Sequence, residues 1–272
     1  MITVKIYTTP KLAATLISRD REIALLERLY TTLLAAAVLS AAGKNVVYEN
    51  ISFTDTVRID SNPSNLTFKN CKFEAGFRMP HSAADGNVTI ENCTFTGNES
   101  GGYAVFAQGN MASFKIAGNE ISNCRRGINI QAGNNAVVTI SGNTVKNITG
   151  KTENGFTYGA AIQMTSAESF TVTDNVISDV AVNALHIYNG CPAKSITIKN
   201  NSISAAYLCW NEADYDMNKV ISAGNTISIV NVGKCVNKTE EIDSSFTLEK
   251  NNPNTPSSSL RRGVWIKLMS TE

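Results

Sequence analysis

One eight-residue phrase recurs nine times between residues 46 and 252. Its copies begin at Val46 (VVYENISF), Leu66 (LTFKNCKF), Val88 (VTIENCTF), Phe114 (FKIAGNEI), Val138 (VTISGNTV), Phe170 (FTVTDNVI), Ile196 (ITIKNNSI), Val220 (VISAGNTI) and Phe246 (FTLEKNNP). Successive starts are 20, 22, 26, 24, 32, 26, 24 and 26 residues apart. Self-similarity at such periods marks a solenoid, because no single unit can bury its apolar face alone.

The interior of the phrase says which solenoid. Its first, third and eighth positions are apolar, as in Val138, Ile140 and Val145. The first two alternate with a polar residue, which is strand periodicity. A Gly/Asn/Asp-rich step follows, as in Ser141-Gly142-Asn143, and supplies turn chemistry. After a variable loop most units add a third alternating run: 56–59, 77–80, 104–108, 127–131, 160–164 and 184–188. Three short strands and three turns per unit describe one coil of a parallel β-helix. The fold class expected is all-β, a right-handed single-stranded parallel β-helix of about nine coils with an N-terminal α-helical cap. Nine coils stacked at about 4.8 Å give a rod about 40 Å long.

The sixth position reads Ile51, Cys71, Cys93, Asn119, Asn143, Asn175, Asn201, Asn225 and Asn251. Stacked coils lay these residues over one another. A column of inward Asn amides can donate and accept along the stack, satisfying groups that are costly to bury alone. Cys71 and Cys93 extend that column as small, apolar-tolerant side chains. A leucine-rich repeat has a related apolar-x-apolar-x-x-Asn core. Here the apolar positions are mostly Val, Ile and Phe, and no helical return segment follows.

The phrases VTIENCTF, VTISGNTV and ITIKNNSI resemble the right-handed parallel β-helix repeats of the pectin-lyase-like superfamily. The resemblance covers roughly residues 44–252. It implies the fold and leaves the activity open, since members include polysaccharide lyases, glycoside hydrolases, phage tailspikes and surface proteins.

Charge excludes some partners. With 24 basic and 23 acidic residues the net charge is +1, which argues against nucleic-acid binding held by electrostatics and against polybasic membrane attachment. None of the six cysteines forms a C-x-x-C pair and the chain has two histidines, so a zinc site is not expected. Cys71 and Cys93 fall on adjacent coils. Distance alone would permit a disulfide between them, and a reduced pair inside the core is the preferred reading. Asn-x-Ser/Thr sequons begin at Asn50, Asn65, Asn87, Asn92, Asn98, Asn147, Asn200 and Asn237, but the repeat itself generates most of them.

The ends differ from the middle. In residues 1–43, Thr9-Pro10 suits a helix start. Ile23, Leu26, Tyr30, Leu33, Leu34 and Ala37 follow at helical spacing, and Gly43 suits a stop. The expectation is an amphipathic helix that covers the first coil. The competing reading is an atypical secretion signal, since 29–43 is uncharged, follows Arg28 and ends in small residues. Residues 253–272 hold a turn-rich linker and one strand-like run, RGVWIKL.

Alternation on the third strand assigns Arg58, Arg78, Phe106, Asn129, Gln163 and His186 to the outer face. Gln108, Gln131, Thr165 and Tyr188 form a second column. Amides offer donors and acceptors to sugar hydroxyls and rings offer apolar faces. Arg58 and Arg78 on adjacent coils suit a carboxylate or sulfate. Three insertions, 97–103, 149–159 and 210–218, are the expected walls. The last carries Glu212, Asp214 and Asp216, a candidate calcium trio, and no other cofactor is indicated.

Glycoside hydrolysis needs two facing carboxylates, and the groove strands hold almost no Asp or Glu after Asp60. The Asn-x-Asp, Asp-Asp and Gly-His-Gly signatures that the resemblance would imply for a hydrolase do not occur. His186 beside Tyr188 is the candidate acid/base pair for a lyase-like elimination, with Arg78 as the candidate basic residue. The function expected is therefore a secreted or cell-surface β-helix that presents a non-catalytic face to a polysaccharide or glycan, without nucleic-acid binding or membrane insertion. The alternatives are an atypical polysaccharide lyase or glycoside hydrolase, and a structural spacer of a fibre or adhesin.

Overall fold

The computed structural model describes residues 6–7, 38–39, 45–59, 65–79, 86–212 and 215–231. Every copy of the phrase from Val46 to Val220 opens with a strand, and these eight strands form one parallel sheet from Val46–Glu49 to Val220–Ala223. Its register sets copy on copy: Val46, Leu66, Val88, Phe114, Val138, Phe170, Ile196 and Val220 are successive partners. The unequal spacings are thus absorbed in the loops. Eight rungs bound seven turns of an almost wholly β solenoid. The ninth copy lies outside the described residues.

The phrase dictates its own corner. Its fifth position is Asn50, Asn70, Asn92, Gly118, Gly142, Asp174, Asn200 and Gly224, and all eight have φ between 53° and 66°. That left-handed conformation is cheap for Gly and tolerable for Asn and Asp. At Gly118 a side chain would also collide, since a Cβ there would lie 2.6 Å from Asn92 Oδ1. The chain turns at this residue into a second, thirteen-stranded sheet that carries the other two runs of each coil. In four coils those two runs join into one bent strand: Thr94–Gly109, Glu120–Ala132, Val176–Ile187 and Ser202–Asn211. The longest spacing, 32 residues, contains an antiparallel hairpin, Lys151–Glu153 with Phe156–Tyr158.

Like stacks on like inside. Phe53, Phe73 and Phe95, at the eighth position of three successive copies, stack with centroids 5.0 and 4.5 Å apart, and Tyr48 stacks on Phe68 at 5.0 Å. Later coils fill the same columns with Ile121, Val145 and Ile177, all buried. Each fully buried side chain of this size contributes about 1.5–3 kcal/mol, which is how a chain of short strands offsets its ordering entropy.

The sixth-position column is buried and saturated. Asn119, Asn143, Asn175 and Asn201 each donate one Nδ2 hydrogen to the Oδ1 of the next Asn, all at 2.9 Å, ending on Asn225. The other Nδ2 hydrogen goes to a carbonyl of the preceding coil, as from Asn143 to Ile116 O at 3.0 Å. Each Oδ1 also accepts a backbone N–H from the coil before, as from Asn119 N to Asn143 Oδ1 at 2.9 Å. Asn251 lies outside the described residues. Toward the N-terminus Cys93 N donates to Asn119 Oδ1 at 2.8 Å and Cys71 N to Cys93 Sγ at 3.4 Å. Both thiols are free and buried. The Cys71 contact and burial hold the Cys93 thiol far above its ordinary range.

The N-terminal expectation needs one correction. Val38–Leu39, which the helical reading placed inside the cap, form a strand parallel to Arg58–Ile59, and Ile6–Tyr7 pair antiparallel with it. An exposed rung edge is an unpaired row of N–H and C=O groups that an added strand satisfies. The rest of 1–43 and all of 253–272 lie outside the described residues.

Candidate functional site

The third run of each coil presents its outward residues in one registered line. Arg58 pairs with Arg78, Arg78 with Phe106, Phe106 with Asn129, Asn129 with Gln163, Gln163 with His186, and His186 with Trp210. The first six are the column read from alternation. Trp210 extends it by one coil. The sequence reading placed Trp210 in an insertion, whereas it closes the strand run Tyr207–Asn211 by the same inward-outward alternation. In the second column Gln108 pairs with Gln131, but Gln131 faces Ser166 because the register shifts there. Thr165 therefore sits at the irregularity instead of in line.

The line is the floor of a cleft of about 470 Å³, within the size range of small-molecule and cofactor sites. Each of the three insertions contributes a wall: Gly102 and Tyr103 from the first, Tyr158 and Gly159 from the second, and Glu212 from the third, with Trp210 on the floor beside it. Arg78, Phe106, Asn129, Gln131, Gln163, Thr165, His186 and Tyr188 also line it. Arg58 does not, although it pairs with Arg78. Arg126 and Tyr103 are functional candidates that alternation missed, since both stand on corners where period-2 order breaks.

The walls hold the floor still. Arg126 lies over the Tyr103 ring, 4.3 Å from its centroid, and Arg78 over Phe106 at 5.4 Å. The Tyr103 hydroxyl donates to Gln163 Oε1. Burial holds that phenol above its ordinary pKa, so it remains a donor. Gln163 Nε2 then donates to Thr165 Oγ1 at 3.1 Å, and the Thr165 hydroxyl to Asn129 Oδ1 at 2.7 Å. Nearby, Gln108 Nε2 donates to Gln131 Oε1 at 2.8 Å.

The far end is aromatic and carries the cleft's carboxylate. His186 stacks on Trp210, centroids 4.5 Å apart and planes within 3°, and meets Tyr188 edge-on at 5.6 Å. His186 Nε2 lies 3.1 Å from Glu212 Oε2. Burial pushes the imidazole pKa down to about 4 against the opposing pull of Glu212. A neutral imidazole therefore donates Nε2–H to Glu212 at neutral pH. That nitrogen is engaged by Glu212.

Two of the three candidate calcium ligands fall among the described residues. Glu212 faces the cleft, and Asp216 Oδ1 accepts from Asn218 N and Nδ2, both at 3.0 Å. Asp214 lies outside the described residues. Among the described residues no three His, Cys, Asp or Glu side chains are grouped to hold a metal ion. Among the described residues Glu212 is the one carboxylate lining the cleft.

Comparison with known proteins bears on the fold. No curated protein and no solved structure matches the chain. A family model described as the right-handed β-helix region matches residues 34–160 and 85–239, a span that begins before the first phrase and runs past the last described rung. With stacked parallel coils and a continuous asparagine column beneath that match, the chain belongs to the right-handed β-helix family.

Proposed function

We propose that the cleft binds a carbohydrate chain and that the protein is a non-catalytic recognition module working outside the cell or at its surface. One observation carries this reading: rings and amides share one registered line, two amides flanked by rings. Phe106, Asn129, Gln163, His186 and Trp210 follow one another rung by rung, with Tyr103, Tyr158 and Tyr188 beside them. Rungs about 4.8 Å apart on a rigid sheet give an extended ligand repeated, evenly spaced contacts. The amide NH₂ groups of Asn129 and Gln131 can donate to the oxygens of a sugar. The flat His186–Trp210 pair offers a platform to the apolar face of a sugar ring. A surface rich in uncharged Asn, Ser and Thr supports an extracellular setting.

The test is a glycan array probed with the wild-type protein and with Trp210→Ala. Binding to a defined group of glycans that falls at least about tenfold in the variant, as loss of a central aromatic anchor does, supports the reading. An array without hits would leave a structural spacer as the better account.

The second reading, a lyase or hydrolase, draws on the His186–Glu212 pair inside the cleft. Incubation with acidic and neutral polysaccharides, followed for unsaturated products and new reducing ends, tests it. Turnover abolished by Glu212→Gln would replace the non-catalytic account.

A further inference from the structure

Half of the cleft offers donors and almost no acceptors, and a chain of hydrogen bonds makes it so. An amide can face a ligand with either its carbonyl or its NH₂, so its chemistry depends on which end the protein occupies. At Asn129 that choice is fixed. Tyr103 donates to Gln163 Oε1, Gln163 donates to Thr165, and Thr165, having accepted, has its one hydrogen for Asn129 Oδ1. The carbonyl of Asn129 is taken and its Nδ2 is left for the cleft. Gln131 is set the same way, because Gln108 occupies its Oε1. Among the described residues no acceptor takes Asn129 Nδ2 or Gln131 Nε2, and both residues line the cleft. Arg78 and Arg126 line the same half, each held over a ring. Among the described residues no carboxylate pairs with Arg78. Glu212 lies three rungs beyond Asn129, since Gln163, His186 and Trp210 succeed it in register.

From this we infer that Arg78, Arg126, Asn129 and Gln131 form a subsite for an oxyanion group, a carboxylate or sulfate, carried by the bound glycan, and that Tyr103, Gln163 and Thr165 are positioning residues that set its donor polarity. Two guanidiniums and two amide NH₂ groups supply charge-assisted hydrogen bonds to an anion. A neutral hydroxyl in the same place would have to act as acceptor throughout and would leave its own hydrogen without a partner. The inference rests on the carbohydrate reading and deepens it by naming the sugar class.

The experiment is titration calorimetry of the full chain with matched oligosaccharide pairs. One pair is a uronate oligosaccharide and its carboxyl-reduced counterpart; the other is a sulfated oligosaccharide and its desulfated counterpart. The expected result is that at least one acidic member binds about tenfold or more tighter than its neutral partner. Which pair shows the preference identifies carboxylate or sulfate as the source. Arg78→Gln should collapse the preference. Thr165→Val should weaken acidic binding more than neutral binding and so reduce the acidic-to-neutral ratio, and Thr165→Ser should restore it. A purely structural role for Thr165 would move melting and both affinities together. Equal binding of acidic and neutral members overturns the oxyanion subsite and leaves carbohydrate binding intact. Failure of all four to bind overturns both.

Discussion

The molecule stacks side-chain amides in two places, and the two stacks differ in what is left over. Inside, Asn119, Asn143, Asn175 and Asn201 use both Nδ2 hydrogens, and the Oδ1 atoms of Asn143, Asn175 and Asn201 each accept two hydrogen bonds. In the cleft, Asn129 and Gln131 have their carbonyl oxygens engaged, and their NH₂ groups have no acceptor among the described residues. The chemistry is the same, and so is the stacking along the solenoid axis. A saturated amide column stabilises the fold and has nothing to offer a ligand. A column satisfied on one side only is a recognition surface, because its remaining donors await a partner.

That contrast can be broken most forcefully at Asn143. Replacing it by Ala strips the acceptor from Asn119 Nδ2 and Asn119 N, and the donor from Ile116 O and Asn175 Oδ1. Several buried groups lose partners at once, so the expected loss is at least about 3 kcal/mol in urea unfolding. Glycan affinity of the folded fraction should be unchanged.

The second largest effect belongs to His186, which is as buried as the interior amides but can be charged. Its folded pKa is about 4 against an ordinary 6.5. The unfolded chain therefore binds a proton that the folded chain refuses between those values. The neutral ring's contribution is fully present above pH 6.5 and is lost as pH falls toward 4. Stability should drop by about 2 kcal/mol between pH 7.5 and pH 5 on this account. Denaturation at both pH values, for wild type and His186→Gln, should show that drop in the wild type only, after subtraction of the shared background.

Smaller still is Asn129→Ala. It strands the Thr165 hydroxyl alone, so its stability cost should be about 1 kcal/mol, while glycan affinity falls. A cost comparable to that of Asn143→Ala would erase the distinction between the two stacks. Last comes Arg58→Ala. Arg58 belongs to the registered line but not to the cleft lining. Its removal should change affinity far less than Arg78→Ala, and calorimetric titration of the two variants side by side tells them apart.

How much of this was legible beforehand follows from periodicity. The interior was, because each sixth position had to lie over the next once the phrase was recognised, and the Asn column runs from Asn119 to Asn225 as read. The outer line Arg58 to His186 was legible by alternation for the same reason. What escaped lies where period 2 fails. Tyr103 follows the register shift after Asn98, and Thr165 sits at the shift after Ile130. Arg126 stands at a corner, and the hairpin that brings Tyr158 to the wall has no counterpart among the described residues of the other coils. Glu212 was read as a metal ligand because its neighbours in sequence are acidic. In space its neighbour is His186. Val38–Leu39 was read as helix because its apolar residues fit a helical period, whereas the open edge of the rung at Val57–Ile59 offered hydrogen bonds that only a strand could take.

Side-chain amide hydrogen exchange, followed by NMR on the ligand-free protein, puts the contrast to its most direct test. The NH₂ groups of Asn119, Asn143, Asn175 and Asn201 should exchange only through unfolding of the solenoid, and those of Asn129 and Gln131, which have no acceptor among the described residues, should exchange far faster and without unfolding. Equal protection of the two sets would contradict the account, since the cleft amides would then be as fully engaged as the core.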